Sequence, residues 1–148
     1  MGGAGEGDVA ASWQLWAGLS ALFAAMTAVF GKVGVAGVNS DYATLLRTIV
    51  IVVVLAAFVA ATGQLQPLAQ VSRRSLLFLS LSALATGASW VCYYRALQLG
   101  PAARVAPIDK LSVVLVALFA AAFLGERPSI LNWTGVALIA AGAVCVAL

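Results

Sequence analysis

The sequence predicts an all-α integral membrane protein with five transmembrane helices. Of its 148 residues, 64% are hydrophobic and only 9% are charged, and the mean hydropathy is +1.07. A soluble domain has about 25% charged residues, so this chain cannot build a water-soluble surface. Five apolar stretches reach the roughly 20 residues that cross a bilayer as a helix. These predicted spans are residues 13–35, 42–62, 75–97, 102–124 and 131–148.

The composition also argues against several kinds of site. The chain has no histidine, and its two cysteines, Cys92 and Cys145, lie inside apolar runs, which indicates buried free thiols. No residue spacing suits a metal site, a nucleophile–base pair or a phosphate-binding loop, so we expect no enzyme activity and no bound cofactor. The net charge of +3 suits loops that face anionic lipid headgroups and gives no reason to expect nucleic-acid binding.

The first span follows a polar N-terminal segment. Residues 1–11 are glycine-rich and acidic, which predicts a disordered tail and no signal peptide, and residues 12–148 form a single membrane domain. Trp13 and Trp16 suit the aromatic belt at the membrane surface, and Lys32 can extend to the headgroups at the far end. Small residues on one helix face predict close packing: Ser20, Thr27, Gly31 and Gly34.

The second and third spans carry polar residues inside the apolar zone. Ser40 or Asp41 is expected to cap the second span, and Arg47 lies about two turns into it. In the third span one helix face is polar, and either packing against other helices or the lining of a cavity explains it, because lipid would disfavour it. The face consists of Ser82, Thr86, Ser89 and Tyr93, is flanked by Trp90 and Tyr94, and ends at Arg95.

The fourth span has two alternative starts. If it begins at Pro107, that proline suits the first helical position, Asp109 favours the helix dipole, and about 18 residues barely cross the bilayer. If it begins at Pro101, Asp109 and Lys110 lie about 12 Å below the start, and Pro107 loosens the backbone above them. The second geometry is the one that carriers use near their binding sites. Residue chemistry alone leaves both starts open.

The fifth span begins beyond Pro128. Gly135 and Gly142 are seven positions apart and lie on one helix face, which predicts a tight helix contact. Before the proline, Glu126 is expected to have a structural role and to pair with Arg127 or a neighbouring helix end.

Four short patterns, in their order and spacing, resemble the EamA domain of the drug/metabolite transporter superfamily. They are FGKVG at 30–34, YYRALQLG at 93–100, LGE at 124–126 and GVALIAAG at 135–142, together with the early arginine of span two, Arg47. The resemblance implies a five-span half of a ten-helix inverted-repeat transporter, and it places Pro107 to Lys110 within span four. It also implies alternating-access transport of small metabolites or drugs. Four-span relatives use a glutamate in their first span, whereas this sequence has no acid between Asp8 and Asp41.

A single half is expected to act as a dimer. An odd number of spans puts the two termini on opposite sides, so a homodimer that mimics an inverted repeat must be antiparallel. Two charge groups face opposite sides, Lys32, Arg47, Arg95, Arg104 and Lys110 against Arg73, Arg74 and Arg127. This small bias favours an external N-terminus and leaves dual orientation open. A parallel homodimer and a pair with a different chain are the alternatives.

The residues expected to contact a solute lie in spans three and four. Lys110 and Arg95 would offer positive charge to an anionic or zwitterionic solute, and Asp109 would offset Lys110 or exchange a proton. The predicted lining is Thr86, Ser89, Tyr93 and Trp90. The alternative is that Lys110 and Arg95 only extend to the headgroups and that Asp109 only caps a helix.

Two function classes therefore remain. The first is a secondary transporter, acting as an exporter of a small organic metabolite or drug in a bacterial or archaeal cytoplasmic membrane. The second is a non-transporting scaffold or accessory subunit with its charged groups at helix ends. A position of Lys110 inside the bilayer separates them, because lipid penalises such a charge unless it has a function.

Overall fold

A computed structural model describes the backbone of residues 5–148 and the side chains from Trp13 onward. The regular secondary structure of this part of the chain is helical, and it contains no strand. The helices are α1 (Gly5–Gly34), α2 (Ser40–Ala61), α3 (Arg73–Leu99), α4 (Ala102–Asp109), α5 (Ser112–Phe123) and α6 (Ile130–Ala147), with a 3₁₀ turn at Leu68–Gln70 between α2 and α3.

Five helical stretches are long and apolar enough to span a membrane, which confirms the all-α membrane fold. They are Trp13–Gly34, Ser40–Ala61, Arg73–Leu99, Ala102–Phe123 (α4 and α5 together) and Ile130–Ala147. Each end lies within about two residues of the predicted one, because the length of apolar sequence that a bilayer demands fixes both ends. Helical backbone begins at Gly5, inside the segment predicted to be a tail. Residues 1–4 lie outside the described part, and their disorder stays a prediction.

Side-chain caps and left-handed glycines set the helix boundaries. Asn39 caps α2, since its side-chain oxygen accepts the N–H groups of Asp41 and Tyr42 at 2.9 and 3.2 Å. The expected cap at Ser40 or Asp41 was wrong, and Asp41 instead occupies the first turn, where a negative charge suits the helix dipole. Gly125 of the LGE pattern has a φ of 69° just beyond α5. This left-handed conformation, which glycine adopts readily, ends the helix.

Span four has the earlier of its two alternative starts and is broken in its middle. It begins at Ala102, directly after Pro101, so Pro107 lies inside α4. Pro107 has no N–H for the carbonyl one turn earlier, which weakens the helix at this point. Helix α4 ends at Asp109 and α5 begins at Ser112, so Lys110 lies in the break.

The best-packed region of the bundle lies where α1 and α3 end and α2 and α4 begin, and we call it the closed end. Its core consists of Val35, Tyr94 and Leu97, which are 1%, 6% and 0% exposed. Away from it most side chains are exposed, including all residues of 72–89. The helices are thus held together at one end and present apolar surface along much of their length.

Polar contacts tie the helix ends together at the closed end. The ammonium of Lys32 in α1 donates to the carbonyls of Leu97 and Gly100 at 2.6 and 2.8 Å. Those carbonyls lie at the C-terminus of α3, where helix geometry leaves acceptors without partners and the dipole favours a cation. The side-chain amide of Gln98 also donates to the carbonyl of Val38, at 3.0 Å. Lys32 therefore anchors a neighbouring helix rather than only reaching for headgroups.

Replacing Gly31 by alanine is expected to destabilise the closed end. A Cβ atom at Gly31 would lie 2.9 Å from the Tyr94 hydroxyl oxygen and 3.3 Å from Leu97 Cδ1. Both neighbours are buried, so overpacking should cost about 1–3 kcal/mol, more than alanine gains in helix propensity. Thermal unfolding in detergent measures the loss. Gly18→Ala is the matched control, because nothing lies within 4 Å of its Cβ position. Equal unfolding temperatures for the two variants would contradict the close packing of Gly31 against Tyr94 and Leu97.

Several structural expectations for single residues do not hold within the chain. Nothing lies within 4 Å of a Cβ built on Gly135 or Gly142, so neither glycine makes a tight helix contact inside this subunit. Glu126 and Arg127 form no ion pair among the described residues, and the Glu126 N–H instead donates to the Ala120 carbonyl at 3.2 Å. Cys92 and Cys145 are free, but both are exposed. The hydropathy pattern marks the two glycines and the two cysteines as lying in apolar spans without saying whether protein or lipid faces them.

Candidate functional site

A cavity of about 430 Å³ lies between the first four spans. Its lining residues lie at similar distances from the ends of their helices. At 1.5 Å per residue, Arg47 and Asp109 lie about 10 Å from the starts of α2 and α4, and Trp90 lies about 13 Å from the end of α3. Half of a 30 Å hydrocarbon core is about 15 Å, so the cavity lies near the middle of the bilayer. It is lined by Ser20, Phe23, Ala24, Thr27, Arg47, Ser89, Trp90, Tyr93, Asp109 and Lys110.

The broken fourth span supplies an acid and a base to this cavity. The ammonium of Lys110 lies 3.3 Å from the carboxylate of Asp109, and the two side chains are 55% and 35% exposed. The break after Pro107 leaves these residues at the end of one helix segment rather than in an unbroken lipid-facing surface. A charge pair at this depth is costly in lipid and is typical of a solute or ion pathway.

Arg47 brings a second cation to the cavity from α2. Its guanidinium carbon lies 4.2 Å from the ring centre of Trp90 and 4.9 Å from that of Tyr94, which are cation–π distances. One of its terminal nitrogens, Nη1, is buried and has no hydrogen-bond partner among the described residues. Neither ion pair found in this part of the chain includes Arg47. The aromatic rings therefore contact a guanidinium that forms no ion pair among the described residues.

The cavity brings together five of the seven residues predicted to contact a solute. Lys110, Asp109, Trp90, Tyr93 and Ser89 all line it. Because α3 and the end of α4 converge there, residues chosen from two separate stretches of sequence share one space.

Thr86 and Arg95 lie elsewhere. The hydroxyl of Thr86 donates to the Ser82 carbonyl at 2.9 Å on an exposed part of α3. Arg95 lies at the closed end, where its guanidinium contacts the carboxylate of Asp41 at 2.8 and 3.0 Å. Their side chains are 58% and 49% exposed, so this pair contributes little to stability. It joins the end of α3 to the start of α2 and takes Arg95 out of the candidate site.

Arg47 lines the cavity although it was not among the seven residues predicted to contact a solute. Its position in an apolar helix marks it as unusual, but its partners come from another helix. Trp90 and Tyr94 are four residues apart, so they share a face of α3 and together offer aromatic surface to a cation. An arginine inside one span and two aromatic residues at that spacing in the next are a signal that sequence alone contains.

Two matches to known proteins extend over this whole arrangement. Residues 11–148 match the EamA-like transporter family. The chain is also 64% identical over 137 residues to a protein of a Sinorhizobium species named "Uncharacterized transporter in cobO 3'region". That alignment covers 93% of this chain and 97% of the relative. No solved structure matches the chain. The family match includes all five spans and hence the whole cavity.

Proposed function

Because the chain belongs to the EamA-like transporter family, we propose that this multi-pass membrane transporter is a secondary carrier that exports a small organic solute across a cytoplasmic membrane. The observation that carries the proposal is the position of Asp109, Lys110 and Arg47 around one cavity near the middle of the bilayer. Intramembrane charges at a broken helix are the usual setting of a transporter's binding site.

Alternating access requires that the cavity be shut toward one side at a time. The closed end supplies such a barrier, since Val35, Tyr94 and Leu97 are buried between the cavity and that end of the bundle. The contacts of Lys32 and the Asp41–Arg95 pair join helix ends at the same place. We infer that these contacts form one gate and that transport requires them to separate.

A second copy is needed to complete the pathway. Lys110 is 55% exposed in the single subunit although it lies near the bilayer centre, so a lone copy would present its charge to lipid. Ser82 and Thr86 on the polar face of α3 are exposed as well, and a polar face in the bilayer favours another helix as its neighbour. We propose a homodimer that covers Lys110, with the two copies antiparallel because five spans put the termini on opposite sides.

The accessory-subunit alternative is less well supported. It requires that charged groups lie at the ends of the spans, as Lys32, Arg95 and Asp41 do. Asp109 and Lys110 do not fit that requirement, because the fourth span runs from Ala102 to Phe123 and both residues are near its middle.

Solute flux from proteoliposomes tests the carrier function. Vesicles are loaded with a defined mixture of amino acids, organic acids, amines and sugars, and the retained solutes are measured over time by mass spectrometry. We expect at least one solute to leave the wild-type vesicles faster than it leaves vesicles with the Asp109→Asn/Lys110→Gln variant. Equal retention of every solute in both would reject the carrier and favour the accessory subunit.

Paired cytoplasmic and external reporters at the C-terminus test the antiparallel dimer, for which both reporters should be active.

A further inference from the structure

The cavity has one positive charge in excess. Two cations, Arg47 and Lys110, and one acid, Asp109, line it. Lys110 and Asp109 are 3.3 Å apart and offset each other. Arg47 has no such partner among the described residues, and its guanidinium lies against Trp90 and Tyr94. An uncompensated cation at this depth is expensive in lipid, so a ligand that supplies one negative charge would relieve the cost.

We propose that the transported solute is an organic monoanion whose carboxylate binds Arg47. The inference rests on the proposed carrier function and names the solute class for the same cavity. The sequence predicted Arg95 as an anion-binding cation, but Arg95 is paired with Asp41 at the closed end. We therefore assign anion binding to Arg47.

The geometry of Arg47 suits a carboxylate. A guanidinium has five N–H donors in one plane and binds a carboxylate through two parallel hydrogen bonds. Contact with two aromatic rings restricts the side chain, so less entropy is lost when a ligand binds. The buried nitrogen Nη1 is a donor without an acceptor among the described residues, and a small shift of the side chain on binding would provide one.

The remaining lining suits an apolar or aromatic body. Phe23, Ala24 and Trp90 give the cavity apolar surface, and its volume of about 430 Å³ is in the range of small-molecule sites. A zwitterion fits less well, because its ammonium would need an acid that is not already paired. Among the lining residues Asp109 is the acid, and its carboxylate already forms an ion pair with Lys110.

Equilibrium binding to a single-tryptophan protein tests this solute class without requiring transport. Trp13, Trp16 and Trp133 are replaced by phenylalanine, so that the fluorescence of Trp90 reports on Arg47. The probes are two matched acid–amide pairs, benzoate with benzamide and phenylacetate with phenylacetamide. Benzylammonium and phenylalanine serve as the cationic and zwitterionic probes. Each acid has nearly the shape of its amide, so the comparison isolates the charge.

We expect each acid to bind at least ten times more tightly than its amide, which corresponds to about 1.4 kcal/mol. Arg47→Gln should abolish this preference, and Arg47→Lys should keep part of it, because charge remains without the planar fork. Arg104→Gln is the control for an arginine-to-glutamine change and should leave the preference unchanged, because Arg104 is exposed at the closed end and forms no ion pair among the described residues.

Equal binding of acids and amides to the unaltered site would overturn the proposal, and this comparison does not depend on the folding of any Arg47 variant. The proposal would also be overturned if benzylammonium bound more tightly than benzoate, or if phenylalanine bound as tightly as phenylacetate. The outcome is independent of the flux assay. Flux without acid preference would reject the monoanion and keep the carrier, whereas acid preference without flux would keep the site and reject the carrier.

Discussion

Replacing Asp109 by asparagine is expected to destabilise the protein by about 2.5–3.5 kcal/mol, the cost of a lone charge at the centre of a membrane helix. The variant leaves the Lys110 ammonium without the carboxylate that lies 3.3 Å from it. Lys110 lies about 12 Å along its span, too deep for its side chain to reach the headgroups easily. The measurement is the unfolding free energy of the purified protein in lipid bicelles.

The Asp109→Asn/Lys110→Gln double variant separates charge pairing from packing. Removing both charges leaves no unpaired ion at this point of span four, so most of the lost stability should return although transport should not. Glu126→Gln is the control for an acid-to-amide change, because Glu126 is exposed between α5 and α6 and belongs to no ion pair among the described residues. If the double variant were as unstable as Asp109→Asn, the pair would not be the source of the loss.

Whether a feature of this protein could be predicted from the sequence depends on whether it is set by one stretch of chain or by contacts between stretches. The spans were predictable because a bilayer imposes length and hydropathy on each helix separately. Asp109, Lys110 and Trp90 were chosen as candidates because a polar or amphipathic group inside an apolar helix stands out in the sequence, and their role in solute binding stays a prediction. EamA membership was likewise predicted from short local patterns and is confirmed by the match over residues 11–148.

Features that depend on contact between helices were not predictable in the same way. Arg95 was assigned to the solute because it ends a polar face, but its guanidinium turns toward Asp41, which is 54 positions away. Arg47 was noticed without its aromatic partners for the same reason. Gly135 and Gly142 show a different limit, since a small-residue face predicts close contact but not whether the partner belongs to the same subunit.

Replacing Lys32 by methionine is expected to cost about 2–3 kcal/mol of stability and to loosen the closed end. Methionine keeps most of the apolar stem of the side chain but removes the ammonium that donates to the Leu97 and Gly100 carbonyls. Hydrogen bonds to a charged group contribute about 1.5–3 kcal/mol, and the loss leaves partly buried acceptors at the end of α3 without a donor. Thermal unfolding gives the stability, and hydrogen exchange of the residues around Leu97 gives the local opening.

Arg104→Met is the matched control, because Arg104 is an exposed cation at the same end of the bundle and forms no ion pair among the described residues. It should change stability by less than about 0.5 kcal/mol, as surface substitutions usually do. Faster exchange near Leu97 in Lys32→Met alone would tie the gate to the contact between α1 and α3. If both variants behaved alike, the closed end would be held by the apolar core of Val35, Tyr94 and Leu97, and Lys32 would be only another membrane-surface cation.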